Sequence, residues 1–148
     1  ELKLIGAVSQ EVLDTISQLN LDSYLNNLGY VSHSEAVEHQ RNSQVLLLIE
    51  INSEETKSII PGKLFEYMVS NRPIIAIGPK DSDFAEIITG TNTGVFFEYT
   101  EKEKLKNTIV SYYNQFLEGK LQSYGVGLQK YSRKNLTKDL SQLINSKI

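Results

Sequence analysis

Two continuously apolar runs, Val45–Ile49 and Ile74–Ile77, constrain the fold of this chain more than any other feature. A half-exposed strand alternates apolar and polar residues, whereas a parallel strand covered by helices on both faces is apolar throughout. Helical patterns separate these runs from three further strand candidates, Leu2–Ile5, Leu28–Val31 and Val95–Phe97. Strands that alternate with helices are joined by right-handed crossovers. The sequence therefore predicts an α/β fold, a Rossmann-like parallel sheet with helices on both faces.

Several helices have recognisable starts and apolar faces. Ser9 is a candidate N-cap, and Ser32-x-x-Glu35 and Thr100-x-x-Glu103 have the form of capping boxes. The helical spacing predicts that each inner face is buried. The predicted faces are Val12, Ile16 and Leu19 in the first helix, Leu105, Ile109, Tyr112, Tyr113 and Phe116 after Thr100, and Leu136, Leu140, Leu143 and Ile144 in the last helix.

The composition is that of an ordinary globular domain. A length of 148 residues with 40% hydrophobic residues predicts a single domain spanning residues 1–148. The net charge of -3 gives no general affinity for nucleic acid. The chain has no cysteine, which excludes disulfides and thiolate metal sites and fits a reducing, cytoplasmic setting.

Positive charge is concentrated at the end of the chain, in a predicted terminal basic helix within residues 128–148. Five cations stand there against one anion, a local charge of +4 that leaves -7 for the remainder. Three interpretations stay open: a solvated helix face, a surface that meets another domain, and a peripheral contact with anionic lipid.

Ligands of parallel α/β sheets bind beyond the carboxyl ends of the strands. These ends lead into the segments Gly6–Ser9, Ser32–Ser34, Glu50–Ile60, Gly78–Asp83 and the residues after Glu98. Glu50–Ile60 is the longest and most polar of them, and it runs directly into a helix that opens at Pro61. We expect a ligand at this loop.

The Pro61 helix carries the candidate binding residues. Glu66 and Gly62 are four residues apart and share a face. A carboxylate there can accept hydrogen bonds from both hydroxyls of a ribose, while Gly62 lets a ligand approach the backbone. Lys63 can neutralise a phosphate at the same helix end. The alternative is a solvated glutamate favoured by the helix dipole and a surface lysine.

Other polar groups have a second explanation beside the chemical one. Glu50, Glu54 and Glu55 can orient sugar hydroxyls, but they also suit a solvated loop. Asp81-Ser82-Asp83 has the form of a metal-binding Asp-x-Asp pair, yet its position before Phe84 favours a helix cap. His33 and His39 have no third ligand in view, so the sequence indicates no metal site.

The order of these segments resembles the C-terminal, donor-binding domain of a GT-B glycosyltransferase of the large retaining family 4, also called group 1. The resemblance rests on several loose motifs in a specific order. They are Leu4-Ile-Gly6, Leu28-Gly-Tyr-Val31, Gln44-Val-Leu-Leu-Leu48, Pro61-Gly-Lys-Leu-Phe-Glu-Tyr67 with Arg72-Pro-Ile-Ile-Ala76, Glu86-Ile-Ile with Thr93-Gly94, and Tyr131-Ser-Arg-x-x-Leu-Thr137.

The resemblance implies a function for the parent protein. Such an enzyme transfers a sugar, with retention, from a UDP- or GDP-linked donor to a carbohydrate or lipid-linked acceptor, as in polysaccharide biosynthesis. It needs no cofactor or metal beyond its substrate. The donor nucleotide site would include Gly6, Gly62 and Lys63 (phosphate), with Glu66 on the ribose. Catalytic residues are not assigned by the resemblance.

The chain departs from the family at one functional position. The family has paired glutamates spaced E-x7-E, and Glu66 matches only the second, because the first falls on Ser58. Sugar binding would then involve Ser58, Glu54 or Glu55. The chain also begins inside a candidate strand, so we expect an excised piece that lacks its first strand and the N-terminal acceptor domain. We expect this piece to be inactive on its own. Its expected partner is the N-terminal acceptor domain of the same protein, and its expected location is the cytoplasm or, peripherally, the inner membrane face.

Two alternatives remain. A GT-B-like nucleotide-sugar epimerase keeps the fold but needs catalytic carboxylates and a histidine in the cleft. A flavodoxin-like regulatory or interaction domain needs an acidic pair after its first strand, where Gly6–Ser9 stands, and an aspartate after a central strand, where Glu50 stands.

Overall fold

A computed structural model describes residues 1–147, and it contains parallel strands and helices in alternation. The strands are β1 (Leu2–Ile5), β2 (Leu25–Gly29), β3 (Leu46–Ile49), β4 (Ile74–Gly78) and β5 (Gly94–Glu98). The helices are α1 (Gln10–Gln18), α2 (His33–Asn42), α3 (Lys63–Val69), α4 (Asp83–Gly90), α5 (Lys102–Leu117) and α6 (Arg133–Asn145). Short 3-10 turns cover Asp22–Tyr24, Glu54–Thr56 and Leu128–Tyr131.

The strands form two parallel sheets, which confirms the α/β, Rossmann-like fold class. One sheet pairs β1 with β2, and the other has the order β3-β4-β5. The chain divides into two compact units, Glu1–His39 and Gln40–Ile148, each with one of the sheets. The strands are thus distributed over two sheets rather than one, while the single-domain organisation stays a prediction.

The first unit is built on β1 and β2, with Leu2 opposite Leu25. Gly6 follows β1 with a φ of 106°, a value that favours glycine, and its N–H donates to the carbonyl of Gly29 at 2.7 Å. The strand expected at Leu28–Val31 instead occupies Leu25–Gly29. Pairing with β1 selects this earlier register, which the apolar pattern alone does not contain.

The second unit holds the hydrophobic core. Leu46 lies opposite Ile74 in β4, and Ile74 lies opposite Gly94 in β5. Every buried hydrophobic residue of the described chain falls between Leu46 and Phe97. The fully buried ones come from the strands and from α3 and α4: Leu48, Leu64, Ile74, Ala76, Phe84 and Ile88. The run Ile74–Ile77 is covered on both faces, as predicted. The run Val45–Ile49 is covered on one face only, because Leu47 and Ile49 of β3 are 38% and 49% exposed.

Two of the three expected caps are confirmed. Ser9 accepts a hydrogen bond from the N–H of Val12, and Ser32 and Glu35 form a reciprocal capping box at α2. The box expected at Thr100 is wrong. The cap of α5 is Glu101, whose carboxylate accepts from the N–H of Glu98 at 3.0 Å. The cap lies one residue later than expected, and its side chain accepts no hydrogen bond from the first turn of α5.

The apolar faces of α1 and α5 are only partly covered, contrary to expectation. On α1, Val12 and Leu19 are exposed, and Leu13 is half-buried with Ile16. On α5, Leu105 and Tyr112 are half-buried, but Ile109, Tyr113 and Phe116 are 48–60% exposed. Periodicity predicts which face is apolar, but whether that face is covered depends on what packs against it.

The C-terminal segment is helical only in part. Ser132 caps α6 by accepting from the N–H of Asn135, and the preceding 3-10 turn, Leu128–Tyr131, packs on the core through Leu128 and Tyr131. The predicted apolar face of α6, from Leu136 to Ile144, is 50–57% exposed. Ile148, the last residue of the predicted basic helix, lies outside the described residues.

No helix within residues 1–147 is long and apolar enough to cross a membrane.

Candidate functional site

A cleft of about 330 Å³ lies at the carboxyl ends of β3, β4 and β5. Three segments line it: the loop after β3 (Asn52, Ser53, Glu54 and Lys57), the loop after β4 (Gly78–Lys80) and the end of β5 (Glu98–Thr100). This is the edge of a parallel sheet at which α/β proteins bind ligands. The sequence predicted a ligand at the first of these loops.

Hydrogen bonds fix the loop after β3 against its neighbours. The buried hydroxyl of Thr56 donates to the carbonyls of Ile51 and Ser53, at 2.5 and 3.0 Å. The carbonyl of Lys57 accepts from the N–H of Asp83 at 2.9 Å, which attaches the loop to the start of α4. The loop wall of the cleft is therefore held in place by backbone contacts and one buried side chain.

A hydrogen bond from a tyrosine also attaches the start of this loop to the end of β5. The Tyr99 hydroxyl donates to the carbonyl of Glu50 at 2.8 Å, so the end of β5 is joined to the end of β3 across β4. The Glu50 carboxylate accepts from the N–H of Ile51 at 2.9 Å. The Glu50 side chain is thus bonded to the backbone of its own loop, and Glu50 is not among the residues that line the cleft.

Two of the four charged side chains in the cleft neutralise one another. Lys57 Nζ lies 2.8 Å from a carboxylate oxygen of Glu54. The pKa of Lys57 is raised, chiefly by the hydrogen bond to Glu54, with a smaller contribution from the charge of Asp81. This pair is occupied within the protein.

The other two charged side chains are unpaired. Among residues 1–147, Lys80 has neither a hydrogen-bond partner nor a carboxylate within 4 Å, and the carboxylate of Glu98 accepts no hydrogen bond. Glu101 takes the Lys104 ammonium instead, and this hydrogen bond is the main reason that the pKa of Glu101 is lowered. Among the described residues Lys80 thus has no charge partner, whereas the charge of Glu98 adds, after the hydrogen bond to Glu101, to the raised pKa of Lys104.

The Pro61 helix begins later than its opening proline. Gly62 is the N-cap and α3 runs over Lys63–Val69, a helix of seven residues. Glu66 is half-buried and accepts a hydrogen bond from the Gln40 amide at 3.2 Å. Burial raises the pKa of the neighbouring Tyr67, and the charge of Glu66 adds to the effect. Gln40 was not among the sequence candidates, because nothing in the spacing relates it to α3.

The structure distributes the predicted site residues over several places. Glu54 lines the cleft, while Glu55 accepts from the Ser53 hydroxyl at 3.3 Å and Ser58 is exposed. Gly62, Lys63 and Glu66 belong to α3 and are not lining residues of the cleft. Gly6 is in the first unit, after β1. The structure therefore brings together only part of the predicted set.

Of the ten described residues that line the cleft, only Glu54 was named as a site candidate. The other nine were missed: Asn52, Ser53, Lys57, Gly78, Pro79, Lys80, Glu98, Tyr99 and Thr100. A signal for them existed, since all lie after predicted strands, at the edge that was expected to bind the ligand. Which side chains face a cleft depends on loop conformation, which residue spacing does not contain.

The Asp81–Asp83 segment behaves as a helix start. Ser82 is the N-cap of α4, and Asp83 lies in its first turn. The Ser82 hydroxyl is buried and has no hydrogen-bond partner, so the cap is formed by the backbone alone. Within the described 147 residues, no three histidine, aspartate or glutamate side chains lie together as metal ligands.

Comparisons with protein families, with curated proteins and with solved structures find no match to this chain.

Proposed function

We propose that this chain is the donor-binding half of a retaining GT-B glycosyltransferase and that it binds a nucleotide-sugar. The observation that carries the proposal is the cleft at the carboxyl ends of β3, β4 and β5. A pocket at this edge with a few convergent polar side chains is the usual binding site of an α/β protein. The order of motifs that resembles family 4 gives the ligand class.

The resemblance gives each part a role. The retained motif Pro61–Tyr67 places Glu66 in α3, where its carboxylate would hold the ribose. The resemblance assigns Gly62 and Lys63 to the phosphates, and it assigns Gly6, a residue of the first unit, to the nucleotide. Glu54, Glu55 and Ser58 are the candidates for the donor sugar, because Ser58 stands where the family has its first glutamate. Glu54 is now paired with Lys57, and Glu55 accepts a hydrogen bond from Ser53. On sugar binding, hydroxyl groups of the sugar would replace these partners.

In the proposed reaction the protein acts by positioning and by electrostatics. Negative charge develops on the leaving diphosphate as the sugar bond breaks, and fixed donors aimed at this charge lower the barrier. Contacts to the nucleotide, remote from the reacting carbon, supply binding energy for that step. An N-terminal domain of the same enzyme would bind the acceptor, in the cytoplasm or peripherally at the inner face of the membrane.

A titration of the isotope-labelled chain with UDP, GDP and ADP, followed by amide NMR shifts, tests the proposal. We expect saturable shifts at Asn52–Lys57, Gly78–Asp83 and Gly62–Tyr67 for one of the three nucleotides. The chain alone should give no sugar transfer with any donor. Absence of specific shifts at millimolar nucleotide would contradict donor binding, and turnover by the isolated chain would contradict its being one half of an enzyme.

One observation favours a second function, a flavodoxin-like interaction domain. Three large side chains of the predicted α5 face (Ile109, Tyr113 and Phe116) and all four of the α6 face are 48–60% exposed. Exposed apolar faces of this size are typical of surfaces that bind another protein. The nucleotide titration separates the two functions, since an interaction domain needs no response at the cleft. The epimerase alternative gains no such support, because no histidine lines the cleft within the described residues.

A further inference from the structure

Some polar side chains of the cleft have hydrogen-bond or ion-pair partners within the described part of the protein, and others have none there. Lys57 and Glu54 form an ion pair, and Ser53 donates to Glu55. Three other lining side chains, Asn52, Lys80 and Thr100, have donors with no protein partner among residues 1–147. Each of the three residues follows a different strand, and all three line the same cleft.

Lys80 is the decisive member of this group. It is the one lysine of the cleft whose charge is not already neutralised by a carboxylate within 4 Å. It follows β4, the central strand of the sheet. An ammonium group without a carboxylate partner is available to pair with an anionic group of a ligand.

A phosphate group fits these donors better than a carboxylate or a neutral sugar does. Phosphate carries several acceptor oxygens and forms short, charge-assisted hydrogen bonds with lysine. A cleft of about 330 Å³ also leaves room for more than a single phosphate. The unpaired Glu98 on the opposite wall would repel a phosphate but accept a hydrogen bond from a hydroxyl group.

We infer that Lys80 binds a phosphate of the ligand in this cleft and that Glu98 accepts a hydrogen bond from one of the ligand's hydroxyl groups. The inference rests on the proposed function, because it assigns the donor diphosphate to Lys80. It differs from the sequence assignment to Lys63, which begins the seven-residue helix α3 and does not line the cleft.

The charge at Lys80 is tested with matched variants of the 148-residue chain. Lys80→Gln, Lys63→Gln and Lys106→Gln each remove one positive charge, and Lys106 is an exposed residue of α5 outside the cleft. Dissociation constants are measured by NMR for inorganic pyrophosphate and for UDP, GDP and ADP at one fixed salt concentration. Lys80→Arg serves as the variant that keeps the charge.

We expect Lys80→Gln to weaken pyrophosphate binding about tenfold, a difference of about 1.4 kcal/mol. Lys106→Gln should stay within about twofold of the unmodified chain, since exposed charges outside the cleft are screened by salt. Lys80→Arg should restore binding. Glu98→Gln should strengthen pyrophosphate binding, because it removes a like charge. It should weaken binding of whichever of the three nucleotides binds, relative to pyrophosphate, because it removes an acceptor for a hydroxyl group.

The results separate this inference from the proposed function. If pyrophosphate binding depends on Lys80 but no nucleotide binds more tightly than pyrophosphate, the phosphate site stands and nucleotide-sugar binding fails. If a nucleotide binds and Lys80→Gln behaves like Lys106→Gln, the assignment to Lys80 is overturned while donor binding stands. A loss confined to Lys63→Gln would place the phosphate at α3 instead. If pyrophosphate causes no saturable shift, the inference is overturned.

Discussion

At the scale of single residues, the second unit depends on a glycine at its tightest contact. A Cβ atom built on Gly94 would lie 2.0 Å from the backbone carbonyl oxygen of Ile74. Gly94 begins β5 beside Ile74 in β4, so the two strands approach more closely than any side chain allows. The sequence contains the glycine, but only the strand pairing explains it.

Gly94→Ala is expected to destabilise the chain by about 3 kcal/mol, because the clash involves backbone and cannot be relieved by a rotamer change. Gly62→Ala is the matched control, since its added methyl meets nothing within 4 Å and its φ is already helical. The control should be neutral or slightly stabilising. Urea unfolding of both variants gives the comparison. Equal stability of the two would contradict the close approach.

A second prediction concerns the capping box of α2. The hydrogen bond from the Ser32 hydroxyl is the main cause that lowers the pKa of Glu35, followed by the bond from the Ser32 N–H. A lowered folded pKa means that the cap stabilises the helix above the ordinary glutamate pKa of about 4.3 and is lost as the pH falls through the lowered value. In Ser32→Ala, the Glu35 carboxyl should titrate closer to its ordinary pKa, as followed by carbon NMR. An unchanged titration would show that Ser32 does not hold the carboxylate.

At the scale of elements, buried and exposed apolar residues should respond very differently to truncation. Leu64 in α3 is fully buried, whereas Leu140 in α6 is 57% exposed. Leu64→Ala is expected to cost about 3 kcal/mol and Leu140→Ala less than about 0.5 kcal/mol. Both follow from urea denaturation midpoints. A cost at Leu140 comparable with that at Leu64 would mean that the α6 face is covered in solution.

The same reasoning predicts different hydrogen exchange in two elements. The amides of β4 lie in the centre of the sheet and should exchange only by cooperative unfolding. The helix α6 has 13 residues, none of them buried, and isolated helices of this length are marginal. Its amides should therefore exchange much faster than those of β4. Equal protection, measured by NMR or mass spectrometry, would contradict this account.

At the scale of the whole molecule, the uneven distribution of buried hydrophobic residues predicts which part of the chain can fold independently. Every buried hydrophobic residue of the described chain lies in the second unit, Gln40–Ile148. A chain of residues 40–148 should therefore fold by itself and keep the cleft, since all lining residues fall between Asn52 and Thr100. Its amide NMR spectrum should reproduce the resonances of β3, β4 and β5 in the full chain. A collapsed, poorly dispersed spectrum would refute the prediction.

The sequence alone determined the alternation of strands and helices, because that alternation is recorded in local patterns. The runs Val45–Ile49 and Ile74–Ile77 have no polar residue to expose, and Ser32 and Glu35 have the spacing of a reciprocal cap. The sequence also indicated the edge of the sheet that carries the cleft. These features depend on residues a few positions apart in the chain, so they can be predicted from the sequence alone.

The tertiary structure decided the register of β2, the division into two sheets, and the exposure of the faces of α5 and α6. It also decided which polar side chains share the cleft, among them Lys80 and Glu98, which lie 18 positions apart in the sequence. These features depend on pairing and packing between distant segments. The energy of such contacts comes from burial and hydrogen bonding across the fold, and no local pattern records it.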